Sequence, residues 1–308
     1  MTLVVTVNGP DSIWLLADRR LSFNKARPPK DDACKVMFLE TTDGVAILGY
    51  AGLGATSLGT EPADWMSAAL RGRKLSLEQS LGVLAEATKK QLPRYMIRMP
   101  GSGGPAHSVI ATSFVGEEPK LYTIDLVFAP DRKSYNFRYT RQVVEKPLVD
   151  RQMTPRLALG GSGALFLTKN RKWKRSLLRI VRAHDRGQVS PHAVSDYLAN
   201  LNHEVHLGVV DQSVGPRCIV AWRNRKSGFH KGGGGLQFYT GTTRDASSMC
   251  LPTIANGMDI SALANMLMPQ VMANFEAMLA GEPAIEPDKD EINAELARLP
   301  DNPDEKLR

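Results

Sequence analysis

Apolar residues in this chain come in short blocks, some with a period of two and some with a period near that of a helix. The runs Val4–Val7 and Ile13–Ala17 are separated by Asn8-Gly9-Pro10-Asp11, which is turn chemistry. They predict a hairpin that begins at Thr2 and whose buried second strand ends at Asp18. Lys35–Leu39 and Gly44–Tyr50 predict a second hairpin around Thr41–Gly44, followed by the small-residue turn Ala51–Ala55. Two helices are then expected. The first spans Glu61–Leu70; the second starts at Ser76, with Gln79 completing a capping box and Leu77, Leu81, Leu84 and Ala85 on one face.

A glycine-rich loop, Met99–Pro105, precedes three strand-like segments at Ser108–Val115, Lys120–Phe128 and Ser134–Tyr139. Leu157–Gly163 reads as a strand entering a glycine turn, and helices are expected over Ala164–Ala183 and from Ser190-Pro191 to about Val205. Arg217–Arg223 predicts a strand, Lys231–Gly235 a glycine linker, and Leu236–Thr240 one more strand. Ile260–Leu279 is a helix pattern that is apolar around most of its circumference, with Pro269 expected to kink it. The order is hairpins, helix pair, strands, helix pair, strands, which disfavours a doubly wound parallel sheet. It predicts an α+β fold: a four-layer αββα sandwich of two antiparallel sheets with helices on both outer faces, plus a C-terminal helical extension. The expected division is a main domain over 1–225, an extension over 226–281 whose helix packs on the domain or a neighbour, and a polar tail over 282–308, largely disordered.

At 308 residues and 43% hydrophobic, the chain can bury a sizeable core. The longest apolar runs are far too short for a bilayer, and residues 1–20 lack the pattern of a signal peptide. Cys34, Cys218 and Cys250 are odd in number and widely spaced, which suits a reducing compartment. A cytoplasmic protein without a cysteine metal site is the expectation. The net charge of +7 is modest, and its densest stretch, Lys169–Arg175, reads first as a solvated helix face.

A threonine hydroxyl needs a base to act as a nucleophile, and a first-residue threonine carries one in its own α-amine. Thr2 becomes that residue if Met1 is removed. A buried lysine held by a carboxylate would favour the ionised hydroxyl.

Thr2, the strand Val4–Val7 and Leu16-Ala17-Asp18-Arg19-Arg20 together resemble proteasome β-type subunits, members of the N-terminal nucleophile (Ntn) hydrolases. Lys35 opening the second hairpin, the turn Ala51-Gly52-Leu53 and Gly160-Gly161-Ser162-Gly163 before a helix extend that resemblance over residues 2–225. It points to a bacterial proteasome-like protein and implies catalytic roles for Thr2, Asp18, Lys35, Gly52 and Ser162. Gly52 would supply an oxyanion donor, and Ser162 a hydrogen bond near the α-amine. Arg20, Asp211 and Ser213 are supporting candidates; the family's Asp-x-x-Ser-Gly element is matched here by Asp211-Gln212-Ser213-Val214-Gly215, with the Asp–Ser interval one residue short.

The resemblance implies an N-terminal threonine peptidase or amidohydrolase acting on a peptide or unfolded protein, without cofactor or metal. It also implies a homo-oligomeric ring or stack, with an ATPase as a further partner. A catalytically inactive structural subunit is the competing reading. A nucleic-acid-binding protein using the Lys169–Arg186 helix is the third, and no motif supports it. His203 and His206 at a helix end lack further ligands, and the glycine runs at 101–104 and 232–235 lack the lysine of a phosphate loop.

Overall fold

The computed structural model describes residues 2–21, 28–52, 60–96, 107–128, 135–142, 156–169, 172–210, 212–228, 230–246, 250–283, 286 and 288–298. The expected loop Met99–Pro105, residues Leu53 and Asp211, and the end of the tail lie outside them.

One sheet is built from β1 (Val4–Asn8), β2 (Ser12–Asp18), β8 (Arg156–Gly160), β9 (Arg217–Asn224), β10 (Gly234–Thr240) and β11 (Thr243–Asp245). Its strand order is β11-β10-β9-β2-β1-β8, all antiparallel. The other contains β3 (Val36–Glu40), β4 (Gly44–Ala51), β5 (Ser108–Val115), β6 (Glu118–Phe128), β7 (Tyr135–Gln142), β12 (Thr253–Ala255) and β13 (Met258–Asp259). Its order is β13-β12-β3-β4-β5-β6-β7, antiparallel except that β12 runs parallel to β3. That one pairing departs from the purely antiparallel expectation.

The central strands are buried on both faces, so they read in sequence as continuous apolar runs. The pleat still sorts their side chains. Ile13, Leu15 and Ala17 of β2 and Ile219 and Ala221 of β9 share a core with the second sheet. Trp14, Leu16, Val220 and Trp222, on the opposite face, pack under α4 (Lys172–Asp185) and α5 (Pro191–Gly208) through Leu177, Val181, Val194 and Leu198. The sheets approach closely at Gly49, where a Cβ would stand 2.8 Å from Leu15 and 3.0 Å from Val4. Beyond the second sheet, α1 (Pro62–Leu70) and α2 (Leu77–Met96) bury Trp65, Met66, Leu81 and Leu84. The result is the αββα sandwich.

The capping box forms reciprocally: the Ser76 N–H donates to Gln79 Oε1 (3.1 Å), and the Gln79 N–H to Ser76 Oγ (3.3 Å). At Ser190 the expected cap is only positional; Pro191 opens α5, and the serine side chain makes no capping bond. Over the expected helix Ala164–Ala183 the described residues are helical as α3 (Gly163–Lys169) and α4, and residues 170 and 171 lie outside the described residues. The expected glycine linker is also corrected. Gly234 and Gly235 begin β10, paired with Arg223 and Trp222, because the Trp222 ring fills the space a side chain would need, within 2.2 Å of a Cβ at Gly235. Strand pairing therefore runs on past residue 225.

The extension helix α6 (Ile260–Ala280) is one element with Pro269 inside it, capped by Asp259 (Ala262 N–H to Oδ1, 2.9 Å) and ended by Gly281 at φ +76°. No residue of α6 is buried. It touches β12 at its base and α7 (Lys289–Arg298) at its far end. Among the described residues no helix is long and apolar enough to cross a membrane.

Candidate active site

The first hairpin builds the site. In its register Val4 faces Ala17, so the residues before Val4 arrive beside Asp18 at the end of β2. Asp18 then ties three segments together. Its Oδ1 accepts the Leu3 N–H (2.8 Å); its Oδ2 accepts the N–H groups of Arg20 (3.0 Å) and Gly215 (3.2 Å). The Asp18 N–H returns a bond to the Leu3 carbonyl (3.0 Å). The residue after Thr2 is thus held on both its backbone groups by one acid.

Thr2, Asp18 and Lys35 are 2%, 0% and 1% exposed, so the charges must be satisfied within the protein. They are. Lys35 Nζ donates to Asp18 Oδ1 (3.1 Å), to the Arg20 carbonyl (2.5 Å) and to Thr2 Oγ1. These account for all three N–H groups of an ammonium. Burial holds the Lys35 pKa below its ordinary value, and Asp18 works against that shift. Because Lys35 donates to Thr2 Oγ1, that oxygen is the acceptor and its own proton is left for transfer.

The glycine turn clamps Thr2 from the other side. The Gly163 N–H donates to the Thr2 carbonyl (3.2 Å). Gly161 has φ +84°, and a Cβ there would lie 1.9 Å from the same oxygen, so both conformation and proximity demand glycine. Ser162, between them, pairs its hydroxyl with that of buried Ser213 (2.9 Å). The Ser213–Gly215 segment is braced by α5: His206 Nδ1 donates to the Val214 carbonyl (2.8 Å), which fixes its tautomer, and Asn202 donates to the Gly215 carbonyl (3.1 Å). The Arg20 side chain turns from Thr2 to a two-pronged pair with Asp31 (2.6 and 2.7 Å) and to the Gln212 carbonyl (2.7 Å). Lys35 thus contacts both Thr2 and Asp18, and Ser162 and Ser213 meet at the glycine turn that holds the Thr2 carbonyl. Arg20 contributes backbone to the centre and its side chain to the support. Asp211 lies outside the described residues. Among the described residues no group of three or more His, Cys, Asp or Glu side chains could hold a metal ion.

Gly52 directly follows β4, two residues beyond the Tyr50 N–H that donates to the Lys35 carbonyl (3.0 Å). A Cβ at Gly52 would stand 2.4 Å from Nδ1 of His107, a residue the sequence reading missed. His107 is buried, its Nδ1 is 3.0 Å from the Tyr50 hydroxyl, and burial lowers its pKa to about 4. The imidazole is neutral at pH 7 and backs the backbone around Gly52. Only the pairing of Ala51 with Ser108 brings it there, and no local motif announces that pairing.

Fold and site together define a class: a two-sheet αββα sandwich with a Lys–Asp pair aimed at a threonine hydroxyl just before the chain's first strand. Neither a protein-family model nor a curated protein matches the chain. Among solved structures it is similar to the Anbu Gly-1 mutant from Hyphomicrobium sp. strain MC1, at 12% identity over 90% of this chain and all of that one, with a TM-score of 0.45. It is also similar to Anbu from Pseudomonas aeruginosa, described as a helical assembly (15% identity, 94% and 99% coverage, TM-score 0.44). A third likeness is Anbu, the ancestral beta-subunit, from Yersinia bercovieri (11% identity, 93% and 100% coverage, TM-score 0.43).

Proposed function

We propose that the chain is a cytoplasmic, proteasome-like N-terminal threonine hydrolase that cleaves peptide or other amide bonds once Met1 is removed. The observation that carries this reading is the Lys35 ammonium, buried, joined to Asp18 and donating to Thr2 Oγ1. An ammonium spent on holding a surface turn has no need of a threonine hydroxyl.

The chemistry follows from the groups present. Thr2 Oγ attacks the scissile carbonyl as its proton passes to the α-amine of Thr2, which acts as base. Lys35 stabilises the developing alkoxide, and Asp18 holds Lys35 in the charged form. The oxyanion forms beside the Gly52 N–H, kept in place by neutral His107 behind it. The amine product leaves with the proton, forming an ester on Thr2. The same α-amine then deprotonates a water that hydrolyses that ester. The Ser162–Ser213 pair steadies the glycine turn on the Thr2 backbone.

Assembly into a homo-oligomer is supported by α6, which exposes Met268, Val271, Met272, Phe275, Met278 and Leu279 at half or more of their surface. Delivery of unfolded substrate by an ATPase belongs to the same reading.

The test is intact mass of the purified protein, followed by a threonine-directed electrophile. A chain lacking Met1 that gains one adduct, with none in Thr2→Ala, is the expected result. Retained Met1 and no adduct would refute the hydrolase and favour an inactive structural subunit.

A further inference from the structure

Charge is divided unevenly along this chain. Residues 282–308 hold nine acidic and four basic residues, although the whole chain is at +7. The acidic end is carried on α6–α7, an arm in which no residue of either helix is buried. A 21-residue helix spans roughly 30 Å, enough to present α7 to another molecule.

The opposite charge is concentrated on α4. Trp173, Leu177 and Val181 face the sheet; Arg175, Arg179 and Arg182 lie on the outer side and Arg186 just past the helix end, its N–H bonded to the Arg182 carbonyl (3.2 Å), all four exposed. Their spacing of four, three and four residues places them in one row. They line a groove of about 510 Å³ together with the half-buried Leu178 and Ala183. None of the four has an ion pair among the described residues, where ten salt bridges occur elsewhere.

We propose that the arginine row of α4 is the docking site for the acidic α7 segment of a second copy of this chain. Asp288, Glu291 and Glu295 recur at three and four residues, the counterpart of the arginine spacing. Asp288 additionally caps α7, accepting from the N–H groups of Asp290 (2.9 Å) and Glu291 (3.1 Å), so the acidic row has a fixed helical start. Ala294 brings a small apolar side chain between the acids to meet Leu178 and Ala183. The junction is head-to-tail, arm of one copy to α4 of the next, and so propagates into a ring or an open filament. A polyanion such as nucleic acid would also be drawn to four arginines, but the row offers no exposed aromatic ring for base stacking; Trp173 is buried. This inference stands apart from the hydrolase reading, since it needs neither Thr2 nor Lys35.

Two full-length variants test it by sedimentation velocity: Arg179→Glu/Arg182→Glu and Glu291→Lys/Glu295→Lys. All four positions are exposed, and circular dichroism confirms that both variants fold. Each alone should associate about tenfold or more weakly than the wild type, with association also weakened on raising salt from about 0.1 to about 0.5 M. Mixed in equal amounts, they should reassemble, because each arm then meets an α4 of opposite charge on the other chain. Wild-type association by either variant alone would overturn the proposal. So would failure of the mixture to assemble, the result expected if the arm folds back on its own α4. Titration with a single-stranded 20-mer oligonucleotide is the remaining arm. Salt-sensitive binding that is lost in Arg179→Glu/Arg182→Glu, with self-association unchanged, assigns the row to nucleic acid and sinks the docking site.

Discussion

The Thr2 site and the α6–α7 arm solve opposite problems. At the site, charged groups are almost wholly removed from water, yet each has its partners: Lys35 uses three donors and Asp18 accepts four bonds. On the arm, apolar side chains remain in water without cover; Leu279 is 72% and Met278 62% exposed. Burial is costly for charge and favourable for hydrocarbon. The charges of the site are therefore satisfied within one chain, while the arm leaves hydrocarbon facing water. Satisfied charge and uncovered hydrocarbon are thus separated along the sequence.

Breaking the site should have the largest effect. Lys35→Met removes the cation paired with Asp18 Oδ1 and leaves a buried carboxylate and the Arg20 carbonyl short of a donor. Unfolding free energy should fall by about 3–5 kcal/mol. Turnover should fall by about a thousandfold or more, since the alkoxide loses its counter-charge. Urea unfolding and a fluorogenic peptide assay check the two. Unchanged turnover in a folded Lys35→Met protein would remove Lys35 from the mechanism.

Asp18→Asn asks whether charge or shape holds the hairpin end. The amide keeps the volume, but its NH₂ must face N–H donors on one side or the other: Leu3 and Lys35, or Arg20 and Gly215. One buried donor pair is set against another, for a loss of about 3 kcal/mol. A stability within about 0.5 kcal/mol of wild type in urea would show that the acid is not the tie described here.

How much of this the sequence discloses depends on distance along the chain. Thr2 and Asp18 meet across one hairpin, whose apolar runs and Asn8–Asp11 turn are legible locally. Lys35 enters through the motif resemblance and proves to be in contact. His107 lies 57 residues from its partner Tyr50, across a pairing of β4 with β5 that periodicity cannot specify. The braces His206 and Asn202 read as ordinary positions of a helix end; only the return of the Ser213–Gly215 segment gives them a task. Gly234 and Gly235 mislead for a physical reason. Glycine in sequence reads as freedom, but here its missing Cβ admits the Trp222 ring.

His107 sharpens the comparison through pH. Its folded pKa, about 4, lies below the ordinary value of 6.5. The unfolded chain therefore binds the extra proton first as pH falls. The contribution of neutral His107 is fully present above about pH 6.5 and is lost progressively down to about pH 4, by about 2–3 kcal/mol in all. In His107→Gln, which keeps a polar group beside Tyr50, that part of the acid slope should vanish. Urea midpoints across pH 4–7 for the two proteins give the answer, and parallel curves would show that His107 titrates normally.

The smallest effect is expected from cutting off the arm. Stopping after Asp259 keeps the Asp259–Arg71 ion pair (2.7 Å) and the β12–β13 pairing, and removes α6 and α7, which have no buried residue, at the loss of the Ser261 hydroxyl that accepts the Thr253 N–H (3.2 Å). Since α6 covers so little of the body, its loss exposes little, and thermal unfolding of the remaining chain should move by only about 2 °C or less. Association should be lost altogether. A large fall in melting temperature would mean that α6 rests on the body and is not the uncovered arm described here. Stopping instead after Gly281 keeps the apolar helix but deletes the acids. That chain should retain its stability and lose the salt-sensitive part of its association, separating the work of hydrocarbon on α6 from the work of charge on α7.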